Sequence, residues 1–242
     1  MKTLMAAALV VAMGLPAAAQ AHIGYSGRNF GTFGSSGGTV TFSNQAVSGN
    51  FGWADGLDAD FGNSHDLRAF RFTLTEATSV TFSVAANANA TAASIGGLIP
   101  GFSIYEGLAH VSPFKADHDE AEGTQAYLDS LGGAAKEGAF RALNDWAITN
   151  DDNDPLSQFV FKGYAVDADL NGTVSGTFTL GPGNYSVFVG GANYIAQLEP
   201  TLPSYGLTAT LAVAAVPEPE TPALMLSGLA LLGWAARRRI GR

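Results

Sequence analysis

The sequence predicts a mainly β protein: an antiparallel β-sandwich, jelly-roll-like, with a short helical insertion, an N-terminal signal helix and a C-terminal hydrophobic helix. Three observations predict it. Apolar and polar residues alternate with period two through much of the interior, as in strands with one buried and one wet face. Turn residues, among them 30 glycines in 242 residues, interrupt that alternation at short intervals. Each end carries a short apolar stretch beside basic residues.

The elements follow in chain order. Met1-Lys2 supplies a positive start, Leu4 to Val11 with Met13 and Leu15 an apolar core, and Ala19-Gln20-Ala21 a small-x-small cleavage site. This is the layout of a secretory signal peptide over residues 1–21. Its expected handlers are the Sec translocon and signal peptidase, and His22 becomes the first residue of the mature chain.

Residues 22–214 are expected to form the sandwich. Phe70, Phe72 and Leu74 alternate with Arg71, Thr73 and Thr75. After Glu76-Ala77-Thr78, Val80, Phe82 and Val84 alternate with Thr81 and Ser83. Phe102 with Ile104, and Phe159 with Phe161, mark two short strands. Val174, Phe178 and Leu180 face one way, with Thr173, Ser175, Thr177 and Thr179 opposite. Gly181-Pro182-Gly183-Asn184 then turns the chain into Tyr185, Val187 and Val189. Tyr205, Leu207, Ala209, Leu211 and Val213 close the series against Thr208 and Thr210. One stretch departs from the pattern. Asp119 to Trp146 is rich in Ala, Glu, Gln and Leu, and Ala135, Ala139, Leu143 and Trp146 have helical spacing. One or two short helices, split at Gly132-Gly133, are predicted there. No long internal repeat is visible, which argues against a solenoid or a ladder of regular Thr-x-Thr steps.

The last segment, residues 215–242, carries no charge from Ala223 to Ala236, and a hydrophobic transmembrane helix is expected over about 222–238. It is shorter than the roughly 20 residues of an ordinary spanning helix. Trp234 suits the interface, and Arg237, Arg238 and Arg239 can reach lipid headgroups. Pro217, Pro219 and Pro222 keep the approach extended and open to a protease. Val216-Pro217-Glu218-Pro219, a short apolar helix and an arginine cluster, in that order, resemble the C-terminal sorting signal of PEP-CTERM proteins. The resemblance implies processing by exosortase, a membrane-embedded transpeptidase of Gram-negative, exopolysaccharide-producing bacteria. It implies cleavage near Pro217 to Pro219 on the way to the cell surface or extracellular matrix. Over a short stretch, the late hairpin Leu180-Gly181-Pro182-Gly183-Asn184-Tyr185 is weakly similar to the pre-peptidase C-terminal (PPC-like) accessory sandwiches of secreted bacterial enzymes.

Composition limits what the body does. The whole chain has a formal net charge of −9, but residues 22–216 hold seven Lys and Arg against 19 Asp and Glu, a net of −12. That argues against nucleic acid or anionic lipid as partner, since both require basic patches. With no cysteine, disulfides, thiolate metal sites and a cysteine nucleophile are excluded.

Four groups of residues are candidates for chemistry. Asp167-Ala168-Asp169-Leu170-Asn171-Gly172 fits the first half of an EF-hand-type calcium loop, in which alternate oxygens converge around a tight turn. Position twelve is Phe178, not the required Glu, so Asp151, Asp152 or Asp154 would have to complete the site; a solvated turn explains the same residues. Asp58 and Asp60 form a second acidic loop, open to the same two readings. His22, if it begins the mature chain, could chelate copper through its imidazole and α-amine, joined by His65, His110 or His118. That arrangement resembles the histidine brace of lytic polysaccharide monooxygenases and of copper-carrying periplasmic proteins. Finally, Tyr25, Phe30, Phe33, Phe51, Trp53 and Phe61 either stack on sugar rings or plug the core under long loops. No G-x-S-x-G elbow, H-E-x-x-H helix or P-loop occurs, and Glu120 with Glu122 would serve a glycosidase only across a suitable cleft.

The expected function is therefore a non-catalytic exported protein of the cell surface or matrix, with exopolysaccharide or another matrix protein as its candidate partner. The alternative is a secreted metal-dependent enzyme or copper-binding protein built on His22.

Overall fold

The computed structural model describes residues 23–53, 61–111, 139–150, 155–198 and 201–216. The strands within them are β1 (Asn29–Phe33), β2 (Gly38–Ser48), β3 (Phe61–Asn63), β4 (Arg68–Leu74), β5 (Thr78–Ala86) and β6 (Pro100–Glu106). They continue with β7 (Ala139–Arg141), β8 (Trp146–Ile148), β9 (Ser157–Val166), β10 (Thr173–Leu180), β11 (Gly183–Gly191) and β12 (Ser204–Val213).

Two sheets face each other, one ordered β1-β4-β11-β6-β9-β8 and the other β10-β5-β12-β2. The eight long strands β2, β4, β5, β6, β9, β10, β11 and β12 interleave between the sheets in the order of a jelly roll. The alternating runs behave as the sequence predicts. Phe70, Phe72, Val80, Phe82, Phe102 and Ile104 all meet in the core between the sheets, each at most 1% exposed. Leu207, Ala209 and Leu211, on β12 beside β5, are fully buried in the same core. The edge strand β1 departs from the antiparallel expectation: it pairs parallel with β4, Asn29 opposite Arg71.

Two expectations are corrected. The first concerns the sheets' wet faces. The four-stranded sheet has one, but the middle of the six-stranded sheet, along β6 and β11, is covered on both sides. Tyr105, Phe140, Trp146, Phe159 and Phe188 build a second core on its far face, together with Ile23, Tyr25 and Trp53. Phe188 stands on the opposite side of β11 from Val187 and Val189, so that strand is buried almost throughout. The second correction concerns the helical insertion. Of that stretch, residues 119–138 lie outside the described residues, but Ala139–Arg141 and Trp146–Ile148 are strands. β7 pairs with β3, and β8 extends the large sheet beside β9. Aromatic rings favour such pleated, cross-strand settings over a helix, and Trp146 stacks on Phe159 at 4.8 Å. The signal helix 1–21 and the span 222–238 also lie outside the described residues, within which no helix is long and apolar enough to cross a membrane.

Candidate functional site

One side chain fastens the N-terminal segment to the second core. Asn150, 1% exposed, accepts the Ile23 N–H through Oδ1 at 2.7 Å. Its Nδ2 donates to the carbonyls of Ile23 and His110, both at 3.0 Å. The His110 N–H in turn donates to Ser157 Oγ at 2.8 Å. Next to this clamp the Tyr25 hydroxyl accepts the Ala109 N–H at 2.9 Å and lies 2.7 Å from Ser186 Oγ. Ser186 Oγ donates to the Gly107 carbonyl, so Tyr25 supplies the proton between the two hydroxyls. Burial pushes the Tyr25 phenol above its ordinary range; those hydrogen bonds and the charge of Arg71, 5.7 Å from the ring centre, oppose the shift.

The residue after His22 and His110 are thus held by the same amide. Of the other histidines proposed to join His22, His65 lies in a single 3-10 turn capped by Asn63. His118, like His22 itself, lies outside the described residues, as do Asp58 and Asp60.

The Asp167 loop is a closed turn. Asp167, 3% exposed, accepts the Asn171 N–H at 3.1 Å on one carboxylate oxygen and the Gly172 N–H at 2.7 Å on the other. Asn171 Oδ1 caps Thr173 through its N–H and hydroxyl. Leu170 takes φ +56° and Gly172 φ +79° to close the loop. The Asp169 and Asn171 side chains are exposed. Among the described residues, no three of His, Asp and Glu gather closely enough to hold a metal ion.

The aromatics of the Gly-rich region serve the core. Tyr25, Phe30, Phe33, Phe51 and Trp53 are 3–7% exposed, which leaves them no face for a sugar ring; the side chain of Phe61 lies outside the described residues. The arginines beside them are structural too. Arg28 donates from Nε to the Ala69 carbonyl at 2.9 Å and from Nη2 to the Gly24 carbonyl at 2.5 Å. Arg68 Nε donates to the Ala46 carbonyl, tying β4 to β2 across the sandwich seam. Burial pulls both guanidinium groups below their ordinary range, and the charge of Arg68 lowers Arg28 further.

What sequence reasoning missed is the solvent face of the four-stranded sheet. Each strand contributes hydroxyl side chains to it, and the register aligns them in rows across the strands. A shallow depression of about 290 Å³ lies in it, lined by Ser83, Ala85, Thr173, Ser175, Thr208 and Thr210. The alternating Thr and Ser were visible as a wet face, but only pairing reveals their alignment.

The chain leaves the sandwich in an orderly way. β12 ends at Val213, Ala214 N–H donates to the Ser79 carbonyl, Thr78 Oγ1 to the Ala214 carbonyl, and Val216 N–H to the Ser35 carbonyl.

Fold and terminus together define a β-sandwich protein with an appended C-terminal extension. That extension is recognised: residues 215–239 match the PEP-CTERM protein-sorting motif, so the chain carries the signal of an exported protein sorted through exosortase. No curated protein matches the sequence. Among solved structures the chain is similar to CorA, a surface-associated copper-binding protein important in Methylomicrobium album BG8 copper acquisition. They share 12% identity over 76% of this chain and 100% of that one, with TM-score 0.46. MopE, a secreted copper-binding protein of Methylococcus capsulatus, shares 12% identity over 78% and 99% of the two chains, TM-score 0.34. The pre-peptidase C-terminal domain of a Bacillus anthracis collagenase shares 10% over 77% and 93%, TM-score 0.31. At these identities and scores the likenesses carry no argument about function.

Proposed function

We propose that this is a non-catalytic protein of the cell surface or extracellular matrix, cut from its tail near Pro217 to Pro219 and holding exopolysaccharide through its sandwich. The observation that carries the reading is the junction. Ala214 and Val216 are tied to the sandwich by backbone hydrogen bonds to Ser79 and Ser35, and the sorting motif spans 215–239. Cleavage near Pro217 to Pro219 leaves both of these bonds in the body. On this reading the Sec translocon exports the chain, signal peptidase cuts after Ala21, and exosortase acts last. Cosedimentation of the exported protein with exopolysaccharide from the producing cells is the test. Retention is expected, and its absence at every protein concentration would remove the binding half of the proposal.

A second reading has one specific observation in its favour, the Asn150 clamp. A mature chain beginning at His22 would start one residue from Ile23, which shares Asn150 with His110. Imidazole and α-amine nitrogens suit Cu(II), so a copper-binding protein is the alternative. A Cu(II) titration compares protein starting at His22 with protein carrying an extra N-terminal alanine. At least tenfold weaker binding by the extended form is expected; equal affinity would end this reading.

A further inference from the structure

We infer that the outer face of the four-stranded sheet is a binding surface for a neutral, hydroxyl-rich polysaccharide, an inference that rests on the exopolysaccharide-binding reading above and gives it a site and a ligand class.

The register builds the surface. Ser175, Ser83, Thr210 and Thr41 stand in one row across all four strands. The next row is Thr177, Thr81, Ala212 and Thr39. Paired strands lie about 4.8 Å apart and same-face residues about 6.8 Å apart along a strand, so these side chains form a two-dimensional grid. Thr41 and Thr210 hydroxyls lie 2.9 Å apart, and those of Thr81 and Thr177 2.8 Å. A threonine has few χ1 choices in a strand, and paired hydroxyls restrict it further. The grid is thus largely set before a ligand arrives, which lowers the entropic cost of binding.

Its chemistry selects the partner. Every hydroxyl both donates and accepts, matching sugar hydroxyls whichever way they point, while the threonine methyls meet the C–H faces of the rings. The depression between β5, β10 and β12 gives a ring or a branch a place to seat. Charge decides among polymers. The body carries a net −12, so a uronate-rich or sulfated chain is repelled, and a cationic chain finds no carboxylate in either row. A neutral chain loses no charge hydration on docking. No single contact here is strong. Affinity comes from many weak contacts along one repeating polymer, through effective concentration, so retention grows with polymer length.

The test is cosedimentation of the exported protein with insoluble cellulose, dextran beads and alginate beads, beside the cells' own exopolysaccharide. Three proteins are compared: wild type, Thr81→Lys/Thr210→Lys on the face, and Gln158→Lys/Val160→Lys as an equal charge change on exposed positions of β9. Circular dichroism establishes that all three are folded. Support is retention of wild type on cellulose or dextran, at least tenfold weaker for the face variant and unchanged for the β9 variant. Equal retention of the face variant, or retention on alginate alone, overturns the inference and leaves the binding reading standing. Wild type retained by no polysaccharide removes the binding reading itself, and the inference with it. Ice crystals faceted by wild type, without polysaccharide retention, would reassign the grid to ordered water and overturn it too.

Discussion

Replacing Asn150 by alanine lowers the stability of the body by about 3 kcal/mol or more. The change removes three hydrogen bonds at once and leaves the Ile23 N–H and the carbonyls of Ile23 and His110 without the side chain that satisfies them. Ile23 is 5% exposed and Asn150 1%, so water cannot take over without opening the second core. Each buried group left unsatisfied costs about 1–3 kcal/mol. The first segment to loosen is Ile23 to Tyr25, which covers the far face of the large sheet. Urea unfolding reads the effect as a lower midpoint with an unchanged slope. A loss below about 0.5 kcal/mol, the range of ordinary surface changes, would mean that Asn150 does not fasten the N-terminus.

The second large effect is at Trp53. Its indole lies on Gly101, and Gly190, opposite Gly101 on the neighbouring strand, makes room for the Trp53 backbone and for Leu67. A Cβ at Gly101 would stand 2.5 Å from the ring. A Cβ at Gly190 would stand 2.9 Å from the Trp53 backbone nitrogen. The Nε1–H donates to Ser103 Oγ at 2.8 Å, and the Tyr164 ring stacks with the indole at 5.9 Å between ring centres. Trp53→Ala is expected to cost about 3–5 kcal/mol, and Gly101→Ala about 1–3 kcal/mol by overpacking. The double variant tests the geometry. With the indole gone the new methyl has room, so the double loses clearly less than the sum of the singles. Strict additivity would mean that the ring does not rest on Gly101.

These two sites mark where sequence reading stopped. The sandwich itself was legible because its inner positions recur every second residue, as in Phe70-Phe72-Leu74 and Leu207-Ala209-Leu211. The second core was not. It draws on single residues distant in sequence, Ile23, Trp53, Phe140 and Trp146, and no local period announces them. One signal was available: Val187-Phe188-Val189 is continuously apolar, which fits a strand buried on both faces. The spacing of Ala139, Leu143 and Trp146 misled because a helical period over so few residues arises easily, and tertiary pairing with β3 and β9 prevailed. The threonine grid shows the complementary case. Its residues were read as a wet face strand by strand, yet their rows exist only across strands, so a search for repeats along the chain could not find them. The sorting tail lay fully open because its signal is linear: a Val-Pro-Glu-Pro approach, an apolar stretch and three arginines in order.

The central claim is that the sandwich is an exported body cut from its tail near Pro217 to Pro219, within the sorting motif. The most direct test is intact-mass and C-terminal peptide mass spectrometry of the protein recovered from the cell surface or matrix. The account predicts a chain that begins at His22 and ends between Val216 and Pro219, with the sandwich still folded. Recovered protein still ending at Arg242 would contradict it.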